Sequence, residues 1–209
     1  MQTQTKLARR AKSLLLPLTV LVVLNSCKKD EPVVVPAIVQ TKTFLVSGSP
    51  VGAFNLWGFN TNAPVANTDS VSNNWDFGMR FEKIIVNSNS SGPGNAGVQI
   101  LNVPFNDVTL APETGYAYDT TSTQLAVRGP DWYTYNSQTR SFAPITGKTF
   151  VFRTAASLPV FRSVKYAKLE FLTADPADDN GNPVTPPTRP TKIKYTFRYA
   201  YQPTGLRNF

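Results

Sequence analysis

Five aromatic residues are the side chains of this sequence best suited to binding a ligand. They lie before a Thr/Ser-rich stretch and beside a Gly-Pro turn signal: Tyr116 and Tyr118 in the first group, and Trp132, Tyr133 and Tyr135 in the second. Such rings either fill a β-domain core or stack on a ligand. Both interpretations stay open for these five residues.

The whole chain contains no histidine and only one cysteine, Cys27. Ser-His-Asp and Cys-His catalysis and zinc sites built from His or Cys are therefore excluded. A carboxylate pair could still cleave glycosides. The strand-borne candidates for such a pair are Asp76, Glu82, Asp131 and Glu170. No spacing selects two of them, so we interpret them as exposed or arginine-paired and expect no catalytic centre.

Two stretches resemble ligand-binding motifs without their structural context. Residues 92–97 read G-x-G-x-x-G, but the sequence after them is strand-like and ends in proline, whereas a dinucleotide site needs a helix there. We predict a flexible turn with positive φ angles. Residues 178–181 (DDNG) lack the full calcium-loop pattern and predict a polar turn.

The first 26 residues have the pattern of an export signal. A basic segment is followed by an apolar run over 14–24, which is too short for a permanent membrane span. The LNSC sequence that ends at Cys27 resembles the lipobox of bacterial lipoproteins, which implies cleavage before Cys27 and lipid on that residue. An ordinary signal peptide with a chance cysteine is the alternative. Residues 27–39 would then be a lipidated N-terminus and tether, stiffened by the PVVVP run at 32–36.

The positive charge of the chain is partly a property of this signal. The full chain has 21 basic and 13 acidic residues, a net charge of +8. Four basic residues and no acidic ones lie within residues 1–26, so the remainder carries +4. No basic stripe with interleaved aromatics is present, and we expect no nucleic-acid partner.

Residues 40–209 predict a single all-β domain, an antiparallel sandwich-like fold. The clearest alternation lies in the last strand, where Ile193, Tyr195, Phe197, Tyr199 and Tyr201 share one face. A second alternation puts Trp75, Phe77, Met79 and Phe81 on one face of a long strand. Strands are predicted over 40–46, 54–59, 75–86, 97–102, 107–110, 124–128, 132–136, 148–154, 164–173 and 192–202, with a mobile loop over 175–190.

Four sequence motifs occur in an order that is similar to the HmuY-like lipoproteins of the Bacteroidetes. They are WD at 75–76 with the long strand and Ser/Asn/Gly loop, DWYTY at 131–135, FRT at 152–154 with KYAKL at 165–169, and YTFRYAYQ at 195–202. The resemblance implies an all-β protein of the outer membrane, in a family whose best-known members capture haem. The KKDE run at 28–31 resembles the signal that sends such lipoproteins to the outward face of that membrane.

The family's haem ligands are missing from this sequence. Its best-known members use two histidines, and one of the two positions falls here at Ser137 or Gln138. Met79 is the only methionine after the signal and lies on the aromatic face of its strand, which favours the core. Tyr116, Tyr118, Tyr133 and Tyr135 remain as candidate iron ligands, because a tyrosine oxygen can ligate haem iron.

We favour the first of two functions for the chain and keep the second as the alternative. One is capture of haem or a porphyrin, held by stacking and by Arg or Lys on its propionates, for transfer to an outer-membrane receptor. The other is a surface binding or adhesion module that kept the fold and lost iron ligation.

Overall fold

Three antiparallel β-sheets make up the part of the chain that the computed structural model describes, which is residues 36–138, 141–155, 164–185 and 188–209. Three short 3₁₀ turns, Asn67–Asp69, Phe105–Asp107 and Gly129–Asp131, are the helical segments of these ranges. The strands are β1 (Val39–Ser47), β2 (Asn55–Gly58), β3 (Ala63–Val65), β4 (Phe77–Arg80), β5 (Lys83–Val86), β6 (Gly97–Leu101), β7 (Tyr133–Asn136), β8 (Ser141–Pro144), β9 (Thr149–Arg153), β10 (Tyr166–Ala177) and β11 (Lys192–Gln202).

The two larger sheets face each other across one apolar core. The five-stranded sheet has the order β1-β11-β10-β9-β6, and the four-stranded sheet has the order β3-β2-β4-β5. Trp57 of the smaller sheet meets Phe197 of the larger one edge to face, with ring centroids 5.2 Å apart. β7 and β8 form a separate hairpin. The predicted all-β, antiparallel sandwich-like fold is confirmed.

The last strand follows its sequence pattern closely. Ile193, Tyr195, Phe197 and Tyr199 of β11 are buried in the main core, while the residues between them are partly exposed. Period-two alternation places one set of side chains against the opposite sheet, and burial of these large rings is a main source of stability.

The predicted long strand over 75–86 is wrong in one respect, because the chain turns in its middle. β4 and β5 form a hairpin in which Arg80 pairs with Lys83, and Phe81 has a φ of 51°. Phe77 and Met79 lie in the main core. Trp75 packs instead with Leu56 and Ile85 in a separate cluster, so the four alternating residues do not share one face.

Other boundaries also differ from the prediction. Residues 107–110 and 124–128 form no strand, whereas β3 and β8 were not predicted. β10 continues to Ala177 and so extends into the predicted loop. Within that loop Asp178 accepts hydrogen bonds from the backbone N–H groups of Asn180 and Asn182, at 2.9 and 2.8 Å, which confirms the polar turn.

The predicted signal peptide, Cys27 and most of the tether lie outside the described residues. Within the described ranges, no helix has the length and apolar character needed to cross a membrane.

Candidate functional site

A groove of about 840 Å³ lies between the turn that joins β4 to β5 and the irregular segment that precedes β7. Its volume falls in the range of about 300–1,000 Å³ that is usual for small-molecule sites. We call the segment 117–129 the groove loop. The groove is lined by Glu82, Lys83, Ala117, Tyr118, Thr120 and residues 122–129.

Of the described aromatic side chains, Tyr118 lines this groove, and its position is closely determined. The preceding residue, Ala117, exchanges two backbone hydrogen bonds with Val98 of β6, at 2.9 and 3.0 Å. The Tyr118 ring lies against Gly97, where an added Cβ would approach Cε1 to 2.8 Å. The guanidinium of Arg153 lies 5.6 Å from the ring centroid. The ring therefore has neighbours on both strands that border it.

Asp119 attaches the groove loop to the four-stranded sheet. Its side chain is fully buried, and its carboxylate accepts hydrogen bonds from the N–H groups of Val86 and Ala126, at 2.8 and 2.7 Å. Its own N–H donates to Ser88 Oγ at 3.1 Å. Burial raises the pKa of the Asp119 carboxyl. Sequence reasoning missed this residue, because an aspartate in a Thr/Ser-rich stretch is typical of any polar loop.

The groove carries more positive than negative charge. Lys83 and Arg128 line it and are exposed, while Glu82, its acidic residue, is partly buried. Lysine and arginine side chains at a groove can pair with the carboxylates of a ligand, arginine in a bidentate geometry.

Trp132, Tyr133 and Tyr135 do not line the groove. Trp132 is 1% exposed and packs in the core against Phe171, with centroids 5.0 Å apart. Tyr133 is half-buried between Trp132 and Phe142, and burial, with a smaller contribution from the charge of Glu82, raises its pKa. Tyr135 is 58% exposed on the β7–β8 hairpin. Core packing, one of the two interpretations left open, is what the structure shows for Trp132.

Tyr116 and Met79 also lie away from the groove. The Tyr116 hydroxyl donates to the carbonyl of Pro112 at 2.9 Å, its ring packs near Tyr166, and burial raises its pKa. Met79 has no exposed surface and belongs to the main core. Its sulfur is therefore packed between the sheets and does not face the groove as an iron ligand would.

The carboxylates considered for catalysis are spread over different parts of the structure. Asp76 is buried and accepts hydrogen bonds from the N–H groups of Phe59 and Ala155, each at 2.8 Å, and burial raises its pKa to about 6. The interpretation of Asp76 as exposed or arginine-paired is therefore wrong. Glu170 does pair with Arg198 at 2.7 Å. Among the described residues, no three Asp, Glu, His or Cys side chains come together as a metal site.

The G-x-G-x-x-G stretch is followed by β6 and not by a helix, as expected. The predicted positive φ angles are wrong, because the positive-φ glycines of the described chain lie elsewhere. Gly92 is required for close packing instead: an added Cβ would lie 2.3 Å from Asn87 Oδ1 and 2.6 Å from the Trp75 ring. The Asn87 side chain holds this loop by accepting from the Gly94 N–H and donating to the Trp75 carbonyl.

Comparisons with known proteins identify no family. No protein-family model matches the chain, and no curated protein matches it. Among solved structures, the apo form of an HmuY analogue from Tannerella forsythia is similar, with 16% sequence identity and a TM-score of 0.47 over 80% of this chain and 98% of that chain. The fold assignment given above rests on the strand pairing of this chain itself.

Proposed function

We propose that the protein is a non-catalytic ligand-binding lipoprotein, and that its groove binds a flat, aromatic ligand with carboxylate groups. The observation that carries the proposal is the fixed Tyr118 ring in a groove that also presents Lys83 and Arg128. A ring held in place loses little conformational entropy on binding, so its contact with a flat ligand is favourable.

Haem or an iron-free porphyrin is the first candidate for this ligand. Its propionates would pair with Lys83 and Arg128, while its ring plane would contact Tyr118. Because the chain has no histidine and Met79 is packed in the core, iron would be bound by the Tyr118 oxygen or would be held without a bond to that residue. A bound haem would supply the spectroscopic signal and the iron, and the protein would supply orientation and charge.

The sequence pattern around Cys27 supports attachment of this binding protein to the cell surface. Lipid on Cys27 would anchor it to the outer membrane, and the KKDE run that follows would direct it to the outward face. An outer-membrane receptor that accepts the ligand would then be its partner.

A surface binding or adhesion module without haem is the second candidate function. The side of the groove formed by Thr120, Ser122, Thr123 and Gln124 is exposed and rich in hydroxyl and amide groups. Such groups recognise polar, uncharged partners by hydrogen bonds rather than by stacking.

A titration of the full-length protein in detergent with haemin and with iron-free protoporphyrin separates these functions. Haem capture predicts a saturable Soret shift, and an iron bond to Tyr118 predicts that Tyr118→Phe weakens binding about tenfold. Tyr116→Phe is the matched control, because it removes a tyrosine hydroxyl two residues away that does not line the groove, and it should bind within about twofold of the wild type.

Three results would change the assignment. Equal binding by the Tyr118→Phe variant would exclude a tyrosine-ligated iron in the groove. Equal affinity for protoporphyrin and haemin would indicate that binding needs no iron bond. No saturable change with either compound would leave the non-haem module as the function.

A further inference from the structure

The groove loop is joined to the edge of the four-stranded sheet by the buried carboxylate of Asp119. Among the described residues, β5 is an edge strand of the four-stranded sheet and has no further strand on one side. The Val86 N–H on that strand donates to Asp119 Oδ2 at 2.8 Å. A side chain therefore takes the place that the backbone of a fifth strand would otherwise fill.

The same carboxylate also closes the loop upon itself. Its second oxygen, Oδ1, accepts from the N–H of Ala126, seven residues along the chain, at 2.7 Å. Within this span Thr120 and Gln124 form a turn of their own, with the Thr120 N–H donating to the Gln124 carbonyl at 3.0 Å. The Asp119 carboxylate thus joins this part of the groove loop both to itself, at Ala126, and to the edge strand β5.

We propose that Asp119 is a positioning residue, which preforms the groove by holding residues 118–127 against β5 before any ligand arrives. The role in ligand binding rests on the function proposed above, whereas the role in holding the loop does not. Tyr118 lies between two attachment points, the backbone pairing of Ala117 with Val98 and the Asp119 carboxylate. Without the Asp119 carboxylate, the backbone at Tyr118 would be attached only through the pairing of Ala117 with Val98.

The chain offers a matched control for this role in Asp76. Both aspartates are buried, and both accept two backbone N–H hydrogen bonds at 2.7 to 2.8 Å. Asp76 joins Phe59 to Ala155, and neither these residues nor Asp76 itself lines the groove. A substitution to asparagine keeps one acceptor oxygen in either case and replaces the other with an amide that cannot accept. A general loss of stability should therefore be similar in the two variants.

Hydrogen exchange measured by mass spectrometry on the full-length protein in detergent tests the inference without a ligand. In Asp119→Asn we expect amide exchange over residues 119–127 to quicken about tenfold, because one backbone hydrogen bond to the side chain is lost. A tenfold change corresponds to about 1.4 kcal/mol in the free energy of local opening. Asp76→Asn should leave exchange over those residues unchanged. Ser88→Ala, which removes only the acceptor of the Asp119 N–H, should loosen the same residues to a smaller extent.

Haemin titration of the same variants tests the effect on binding. Preformation of the groove predicts about tenfold weaker haemin binding in Asp119→Asn and unchanged binding in Asp76→Asn. If Asp119→Asn and Ser88→Ala both keep the wild-type exchange over 119–127, or if Asp76→Asn loosens that loop equally, Asp119 has no positioning role. A loosened loop with unchanged haemin affinity also overturns the inference.

The two proposals fail in distinguishable ways. If the wild type binds neither haemin nor protoporphyrin, the proposed ligand is wrong, and the exchange data alone decide whether Asp119 holds the loop. If the wild type binds and the variant with the loosened loop binds equally well, the ligand is right and preformation by Asp119 is wrong.

Discussion

The hydroxyl of Tyr195 donates a 2.6 Å hydrogen bond to the carbonyl oxygen of Phe81, which lies 114 residues earlier in the chain. Phe81 occupies the turn between β4 and β5 with a φ of 51°, a backbone conformation that costs about 1 kcal/mol or more for a bulky residue. Its N–H donates to the carbonyl of Ser47 at 2.8 Å. Both polar groups of this strained residue are therefore held by distant parts of the fold, which compensates for the strain.

Replacement of Tyr195 by phenylalanine should weaken the fold at this turn. The variant leaves the Phe81 carbonyl without its donor, and we expect a loss of about 1–2 kcal/mol in the free energy of unfolding. Urea unfolding followed by tryptophan fluorescence would measure it. Tyr201→Phe is the control, since the Tyr201 hydroxyl makes an exposed 3.2 Å hydrogen bond to Asn60, and it should cost about 0.5 kcal/mol or less. Equal losses in the two variants would show that the hydrogen bond to Phe81 contributes no more to stability than the exposed one to Asn60.

Asp76 should make the stability of the protein depend on pH. Burial raises its folded-state pKa to about 6 from the ordinary 3.8, so the folded state binds a proton more tightly than the unfolded state does. The contribution of Asp76 protonation to the free energy of unfolding is fully present below about pH 4. It is lost as the pH rises through about 6, and the total loss is about 3 kcal/mol.

The Asp76→Asn variant isolates this contribution, because an amide does not titrate in this range. The free energy of unfolding measured in urea at several values between pH 4 and pH 7 should fall less steeply in the variant than in the wild type. The difference between the two slopes belongs to Asp76, since all other groups are shared. Parallel curves would contradict a raised pKa for this carboxyl.

Gly97 should not tolerate a side chain. An added Cβ would lie 2.8 Å from the Tyr118 ring and 2.9 Å from Tyr116 Cβ, so we expect Gly97→Ala to cost about 1–3 kcal/mol and to displace Tyr118. Gly147→Ala is a useful comparison, because its φ of 77° is strained for alanine but its surroundings are open, which predicts a loss of about 1 kcal/mol.

Ligand binding distinguishes these two glycine variants further. Gly97→Ala should also weaken haemin binding if Tyr118 lines the site, whereas Gly147→Ala should bind as the wild type does. A Gly97→Ala protein with wild-type stability would show that the two tyrosines move aside freely.

Cys27 should carry the lipid that anchors the protein. Expression of Cys27→Ala in a host that processes lipoproteins should give a product that no longer enters the detergent phase in a Triton X-114 partition. Ser26→Ala keeps a small residue before the cysteine and should partition as the wild type does. Unchanged partitioning of Cys27→Ala would contradict the lipoprotein hypothesis.

Some features of this protein could be predicted from the sequence because they depend on neighbouring residues alone. The alternation of Ile193, Tyr195 and Phe197 predicts a strand with one buried face, and β11 has it. The strand-like residues after Gly97 predict correctly that the G-x-G-x-x-G stretch does not begin a helix. Period-two patterns and turn residues act within a few positions, so a single sequence contains the necessary information.

The candidate site depended on contacts between distant segments. Asp119 acts through Val86, 33 residues away, and nothing in the local pattern distinguishes it from other loop aspartates. The apolar–polar alternation of the sequence continues through Phe81 and does not predict the turn there. The turn depends on Ser47 and Tyr195, which hold the Phe81 backbone.

Tyr118 and Trp132 show the same division between sequence and structure. Residue types and their alternation predict an all-β protein rich in core aromatics, without histidine chemistry. In the folded chain Tyr118 lines a groove while Trp132 is buried in the core, a difference that no local pattern predicts. The physical reason is that burial of a ring depends on which distant strands surround it, and a local pattern records only on which side of its own strand the ring lies.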